Sequence, residues 1–341
     1  MTKVLLTGAT GYVGGEVLYN LTHSSLDGLQ ISSIVRSGDH AKQLQAAYPN
    51  IRTVVGDLDD VALVKREAES ADIVLHLAST SHVASAKAIA DGLQARSKNT
   101  SSPHYWIQIS GATCYAVEEI SSGKFGFASD EIFDDTRDQE DIVTLLRKNT
   151  KRVVENTVLS QSPSTVKTAL IIGPLIYGAG RGPVNQRSVQ APEIVKTTLK
   201  LGHGFKLNKG QNIWSNIHVQ DLAYLVHSLV SAATNAQDGL WNHDGVYNAE
   251  NGKMTFEHLN TLIANEAHKQ GLIKQDAKAK FDTIDAAKAD AMSDHAAVLW
   301  GTNARTVASK ARQKLAWRPS APSLEDTIPD LVHGEAEGRE K

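Results

Sequence analysis

A single cysteine, Cys114, rules out an internal disulfide, so nothing in the chain calls for an oxidising compartment and the expected setting is the reducing cytoplasm. Charge of one sign is also scarce. Against 38 acidic side chains stand 35 basic ones, a formal net charge of −3 with histidines neutral. That balance leaves no surplus cation to grip a nucleic acid backbone or an anionic membrane, so neither is expected as a partner. Long apolar runs are missing too. No stretch approaches the ~20 apolar residues that cross a bilayer, and the run before Gly8 is too short for a signal-peptide core. Internal repeats and low-complexity blocks are absent. What remains is ordinary globular composition, 41% hydrophobic and 21% charged over 341 residues. That length suits one large domain or two interlocked ones with a sizeable core.

Short apolar runs alternate with longer helical patterns through the first half, the mark of βαβ units on a parallel sheet. Six strands are predicted at Lys3–Thr7, Gln30–Val35, Ile51–Val55, Asp72–Ala78, Tyr105–Ser110 and Val166–Ile172, with helices near Tyr12–Leu21, Asp60–Glu69, His82–Ala95 and Glu140–Leu159. The expected fold class is α/β, a doubly wound parallel sheet of the Rossmann type with a smaller C-terminal substrate-side α/β domain. Residues 1–174 form the nucleotide-binding part, with 213–245 returning to it; 175–212 and 246–330 form the substrate side. Further helices are expected near Pro192–Leu201, Phe256–Gln270 and Asn303–Leu315, and a strand followed by a helix over Ile213–Ala233. Residues 331–341, polar from His333 onward, are expected to be a mobile tail.

Thr7-Gly8-Ala9-Thr10-Gly11-Tyr12-Val13-Gly14 follows the first strand directly and opens the first helix. Gly8 permits the tight turn, Gly11 lets the backbone approach a pyrophosphate and Gly14 lets the helix pack on the strand, while the helix N-terminus favours negative charge. A carboxylate at the tip of the second strand would hold the ribose 2′-hydroxyl of NAD, but that tip reads Ile34-Val35-Arg36-Ser37. Arg36 can pair with a 2′-phosphate through its planar fork, and Ser37 can add a hydroxyl. The expected cofactor is NADP(H). Gly56-Asp57-Leu58 after the third strand is placed at the adenine, with Asp57 accepting from its amino group, and Ala78-Ser79 after the fourth borders the nicotinamide ribose.

With these residues in place the chain resembles the extended short-chain dehydrogenase/reductase family over almost its whole length. Gly173-Pro-Leu-Ile-Tyr177-Gly-Ala-Gly180 is similar to that family's Arg-Pro-x-x-Val-Tyr-Gly-x-Gly loop, Ile217-His218-Val219-Gln220-Asp221-Leu222-Ala223 to its His-Val-x-Asp-Val-Ala segment, and Val246-Tyr-Asn-Ala-Glu-Asn-Gly252 to its Tyr-Asn-x-Gly-x-Gly strand. Leu315-Ala-Trp317-Arg-Pro319 followed by Ser323-Leu-Glu-Asp-Thr-Ile328 resembles its C-terminal ending. The resemblance implies hydride transfer supported by a Ser or Thr, a Tyr and a Lys, the last two spaced Tyr-x-x-x-Lys on one helix so that the ammonium lowers the phenol's pKa. Aligning Lys151 and Glu155 with the family's Lys-x-x-x-Glu puts Arg147 where the tyrosine belongs. Arginine stays protonated and cannot serve as the general acid or base. The family's hydroxyl position falls on Gly111, flanked by Ser110 and Thr113.

The candidate catalytic residues are therefore Ser110, Thr113, Lys151, whose ammonium would hold the nicotinamide ribose, and Tyr177 as an alternative proton donor. His76, His82 and His218 have no spacing for a metal triad, and no metal is expected. His218 and Asp221 are expected to tie a strand to the following helix, and Cys114 to pack. Asn185 to Ser188 and Lys209 to Asn216 bring hydrogen-bond donors to the substrate side, suited to a polar or acidic ligand. The missing tyrosine, the Ser-Gly-x-Thr loop and the Asn-x-Trp-x-Asn-x-His-Val stretch resemble a group of fungal proteins filed as epimerase/dehydratase-like. Three functions are open: an NADP(H)-dependent oxidoreductase reducing a carbonyl or activated double bond; an NADP(H)-binding sensor similar to the atypical members of the nitrogen-metabolite-repression type; and a non-redox epimerase, isomerase or lyase that retains its cofactor. A homodimer through the helix of Glu140–Leu159 is the expectation by family analogy, although its many charges offer no apolar seam.

Overall fold

The computed structural model describes residues 1–98, 100 and 102–338. The chain opens with β1 (Thr2–Thr7), α1 (Tyr12–Thr22), β2 (Leu29–Val35), α2 (Gly38–Ala47), β3 (Arg52–Val55), α3 (Val61–Glu69), β4 (Ile73–His76), α4 (Val83–Ser97) and β5 (His104–Gly111). After α5 (Val117–Ser122), β6 (Phe133–Asp134), α6 (Gln139–Lys148) and α7 (Val153–Leu159) it returns as β7 (Val166–Gly173). Successive residues of a strand face opposite sides of its sheet. Val4, Leu6, Ile73 and Leu75 accordingly enter one core with Val17, Leu18 and Leu225, while Leu5 and Val74 enter the other with Leu63, Ile89 and Val158. Covered on both faces, β1 and β4 carry consecutive apolar residues at Val4, Leu5 and Leu6 and at Ile73, Val74 and Leu75 rather than alternating ones. Each fully buried leucine or isoleucine contributes about 2 kcal/mol.

The central sheet has seven parallel strands in the order β11-β7-β5-β4-β1-β2-β3, where β11 is Val246–Asn248. The six predicted strands are all there. The seventh moves Val246–Asn248 from the expected substrate side into the nucleotide-binding sheet. Between β7 and β11 come β8 (Leu175–Tyr177), α8 (Gln190–Leu201), β9 (Gly204–Leu207), β10 (Ile213–His218) and α9 (Val219–Thr234). Of the stretch expected to rejoin the nucleotide domain, α9 packs on α1. β10 does not join the main sheet; it pairs with β8 and with β12 (Lys253–Thr255). The chain closes through α10 (Phe256–Lys269), β13 (Phe281–Ile284), α11 (Ala286–Met292), α12 (Ala296–Gly301), β14 (Thr306–Val307), α13 (Ser309–Lys314) and α14 (Leu324–Ala336).

Three further expectations change, and one helix is not expected at all. Helix α2 has no sequence forecast because it buries only Ala41 and Leu44 and begins on a glycine. The helix expected over Asn303–Leu315 is instead β14, where Thr306 and Val307 pair with β6, followed by the short α13. The helix expected over Glu140–Leu159 breaks into α6 and α7. Its break is held by Asn156, whose side-chain amide donates to the Leu146, Asn149 and Arg152 carbonyls, and by Asn149 Oδ1, which accepts from the Lys151 N–H at 3.2 Å. Finally, α14 runs to Ala336 through the start of the expected tail, with Val332 fully buried; residues 339–341 of that tail lie outside the described residues.

Late segments bind the two lobes together. The Trp317 indole donates to the Asp221 carbonyl at 2.9 Å, and the Asp221 carboxylate accepts from the Ser320 and Ala321 N–H groups. His218 is the N-cap of α9, its Nδ1 accepting from the Gln220 N–H. Asp221 thus ties the C-terminal segment rather than β10 to its helix. Among the described residues no helix is long and apolar enough to cross a membrane.

Candidate active site

A cavity of about 780 Å³ opens at the C-terminal ends of β1, β2 and β4. Gly8 has φ +87°, and a Cβ there would stand 2.8 Å from the Ala78 backbone; a Cβ on Gly14 would run into the Gly8 carbonyl. These glycines let α1 start hard against the strand ends. Gly11 caps α1 without a side chain, and no acid occupies its first turn. The first-turn N–H groups therefore have no side-chain acceptor and point the helix's positive end at the cavity. Gly8, Thr10, Gly11, Tyr12, Val13, Gly14, Arg36, Asp57, Leu58 and Ala78 all line it, as expected of cofactor contacts. Ser37 and Ser79 do not. Ser37 Oγ caps α2 by accepting from the His40 N–H, and Ser79 Oγ accepts from the Ser81 and His82 N–H groups. Arg36 is exposed, and its guanidinium makes no hydrogen bond or ion pair among the described residues.

Sequence reading missed a polar chain beneath this cavity. Thr7 Oγ1 lies 2.6 Å from His76 Nδ1, His76 Nε2 3.1 Å from Ser85 Oγ, Ser85 Oγ 2.9 Å from His82 Nδ1, and His82 Nε2 3.0 Å from Asp59 Oδ1. The Ser85 N–H donates to His82 Nδ1, which places the neutral ring's proton on Nε2, facing Asp59. His76 is fully buried, and burial, reinforced by His82, pushes it down to about 4. The loop over α1 is anchored by buried Glu16, which accepts from the Arg181 backbone N–H at 2.7 Å and from its guanidinium, itself stacked 4.2 Å from the Tyr19 ring centre. Tyr12 donates to the Gly178 carbonyl at 2.6 Å, and burial drives its phenol pKa well up.

A second cavity, of about 910 Å³, lies beyond residues 77–83, of which Leu77, Ala78 and His82 line the first cavity and Thr80, Ser81 and Val83 the second. Thr113 and Lys151 line it. Lys151 does not line the first cavity and shares no helix with Arg147, because the break between α6 and α7 separates them. Arg147 is exposed and lines neither cavity. Arg152, not among the expected site residues, also lines this cavity. Its guanidinium donates to Thr113 Oγ1 at 2.9 Å and to Glu155 Oε1 at 3.3 Å, and Glu155 accepts from Ser110 Oγ at 2.6 Å. The only sequence trace of this arrangement is the Arg-x-x-Glu spacing at a helix start.

Ser110 and Tyr177 open on neither cavity. Ser110 is buried, with its hydroxyl committed to Glu155. Tyr177 is buried edge-on to His218 and donates to the Pro322 carbonyl at 3.0 Å; burial raises its phenol pKa, where a proton donor needs it lowered. Cys114 is fully buried and its thiol is pushed up to about 12 by burial, in keeping with a packed residue. Among the described residues lining the second cavity there is no tyrosine and no histidine.

Residues 8–151 match a family model described as NAD(P)H-binding. The chain is 33% identical over 346 aligned positions to the oxidase ucsJ of Acremonium sp, covering 98% of each protein. Among solved structures it resembles a dTDP-glucose 4,6-dehydratase of Streptomyces venezuelae with NAD bound (TM-score 0.65, 15% identity, 99% of this chain and 98% of the other). It also resembles a Bacillus anthracis enzyme of the same name in complex with NAD (TM-score 0.64, 16% identity, 100% and 98%). At those identities the likeness is one of fold, that of the epimerase/dehydratase-type extended dehydrogenases.

Proposed function

The chain belongs to the NAD(P)H-binding family of the oxidase ucsJ, and from that premise we propose that it is an NADP(H)-dependent oxidoreductase acting on a carbonyl or activated double bond of a small polar metabolite. The observation that carries this reading is the first cavity, where α1 offers uncapped N–H groups and Arg36 an unpaired guanidinium, with no acid at the tip of β2. These residues fit a dinucleotide bearing a 2′-phosphate: the glycine turn and first turn of α1 would hold the pyrophosphate, Arg36 the extra phosphate and Asp57 the adenine amino group. When bound, the nicotinamide supplies or accepts the hydride.

The protein's own part is charge stabilisation. Arg152 occupies a lone pair of Thr113 Oγ1, which leaves the Thr113 O–H free to donate into the second cavity. A hydrogen-bond donor backed by a fixed cation stabilises the negative charge that develops on a carbonyl oxygen without itself losing a proton. The final proton then comes from water or the substrate.

Calorimetry tests the cofactor assignment. NADPH should bind more tightly than NADH, and Arg36→Ala should narrow the gap by ~1–3 kcal/mol, the scale of a charge-assisted hydrogen bond; equal affinities in the native protein would refute it. Oxidation of NADPH with a panel of carbonyl compounds, followed by absorbance, tests the activity. The absence of a tyrosine or histidine from the second cavity favours one other reading, a nucleotide-binding sensor without turnover. Inertness across the panel together with a protein partner captured only when NADP+ is present would select it.

A further inference from the structure

Two unlike groups of side chains line the second cavity. Lys148, Lys151 and Arg152 come from the break between α6 and α7, and Val117 and Ile120 from α5. Helix α5 buries none of its residues, and Val117 and Ile120 remain 37% and 41% exposed. Apolar side chains held at a cavity wall without a protein cover gain free energy only when something apolar fills the space.

Of the cations, Arg152 is paired with Glu155, but the two lysines are uncompensated. Glu155 is committed to Arg152 and Ser110. The ammonium groups of Lys148 and Lys151 make no hydrogen bond or ion pair among the described residues. The other carboxylate on the cavity, Asp141, sits seven residues before Lys148 on α6, about 10 Å away along the axis, too far to pair with it. Lys148 complements the C-terminal end of α6; Lys151 lies beyond the helix end and has no such role. Two unpaired ammonium groups, a guanidinium and exposed apolar side chains lining one cavity match one ligand chemistry: an acidic group at one end of an apolar body.

We propose that the second cavity binds an amphiphilic organic anion, with a carboxylate or comparably acidic group among Lys148, Lys151 and Arg152 and an apolar body against Val117 and Ile120. That this ligand is the substrate rests on the proposed oxidoreductase reading, since Thr113 opens on the same space; the binding itself does not. Cofactor chemistry already has its place in the first cavity, so the second is free for this ligand.

The test uses 2-naphthoate and its uncharged isostere 2-naphthamide, titrated calorimetrically into the full-length protein with and without NADP+. The carboxylate is expected to bind roughly ten-fold more tightly than the amide, the order of a charge-assisted contact in a partly desolvated site. Lys148→Gln/Lys151→Gln should reduce that preference below about three-fold. Ile120→Trp, which fills the apolar wall, should weaken both probes together. Equal binding of the two probes, binding of neither, or a preference that survives the double substitution overturns the proposal. Failure of NADPH to bind with the naphthoate preference intact overturns the cofactor reading alone.

Discussion

The two cavities meet at residues 77–83 but are built by different means. The first is a backbone site, in which three glycines, an uncapped helix start and strand ends make the surface. The second is a side-chain site, assembled from Thr113 on the loop after β5, the apolar residues of α5 and the cations around a broken helix. A backbone site is written in spacing, because each glycine answers a steric demand a few residues away. A side-chain site depends on where remote elements come to rest.

That difference sets the expected order of mutational effects. The largest belongs to Gly14→Val, whose side chain has no place beside the Gly8 carbonyl; we expect a loss of about 4 kcal/mol or more in urea unfolding, together with dinucleotide binding by calorimetry. A stable, binding-competent variant would break the description of this site as backbone-made. Glu155→Ala probes the other cavity. It strands buried Ser110 and half-buried Arg152, and should cost about 3 kcal/mol in the same unfolding assay while NADPH affinity holds, whereas Glu155→Gln should lose less.

Acid should act on the polar chain beneath the first cavity. His76 titrates near 4 in the folded protein against about 6.5 when unfolded, so the unfolded chain takes up its proton first. Its contribution to stability is intact above pH 6.5 and declines as pH falls, by about 2 kcal/mol at pH 5, levelling off below about pH 4. Urea midpoints of the native protein and of His76→Gln between pH 8 and 5 check this: the variant's curve should be flatter, and parallel curves would assign the acid sensitivity elsewhere. The smallest effect is expected at Gly111, which has extended backbone angles and where a Cβ would meet nothing nearer than Thr113 Oγ1 at 3.8 Å. Gly111→Ser should fold with a gain of about 0.5 kcal/mol from the stiffer unfolded chain. A measured destabilisation would show that the loop after β5 has less room beside Thr113 than the 3.8 Å separation implies.

The same contrast explains what could be read from residues alone. Strands β1, β2, β4, β5 and β7 announce themselves as short stretches rich in valine, leucine and isoleucine because helices cover both faces of the sheet, and Gly8 to Gly14 because the turn admits nothing else. Helix α2 carries too little apolar periodicity to show. The move of β10 out of the main sheet leaves no local trace, since an apolar run reads the same in either sheet. In the second cavity the decisive contact joins Arg152 to Thr113, 39 residues earlier in the chain. Whether Arg147 or Arg152 reaches the site turns on a helix break between them. Asn149-Thr150, a pair of weak helix formers, hints at that break, but the side chain that holds it belongs to Asn156. A pattern drawn from continuous-helix relatives therefore assigns the cation to Arg147, which the structure leaves on the surface.

The stitching of the lobes by the stretch from Trp317 to Val332 has a consequence for how the molecule is made. Trp317, Pro322 and Val332 leave the ribosome after every strand of the central sheet, yet they supply the acceptor for Tyr177, a donor for Asp221 and part of the core. Most of the nucleotide-binding sheet can form earlier in synthesis, whereas the smaller lobe stays undocked until the stretch from Trp317 to Val332 has emerged. A nascent chain stalled short of Trp317 would expose the pocket that the indole fills, giving the quality-control machinery of the cell a clear mark of an unfinished product.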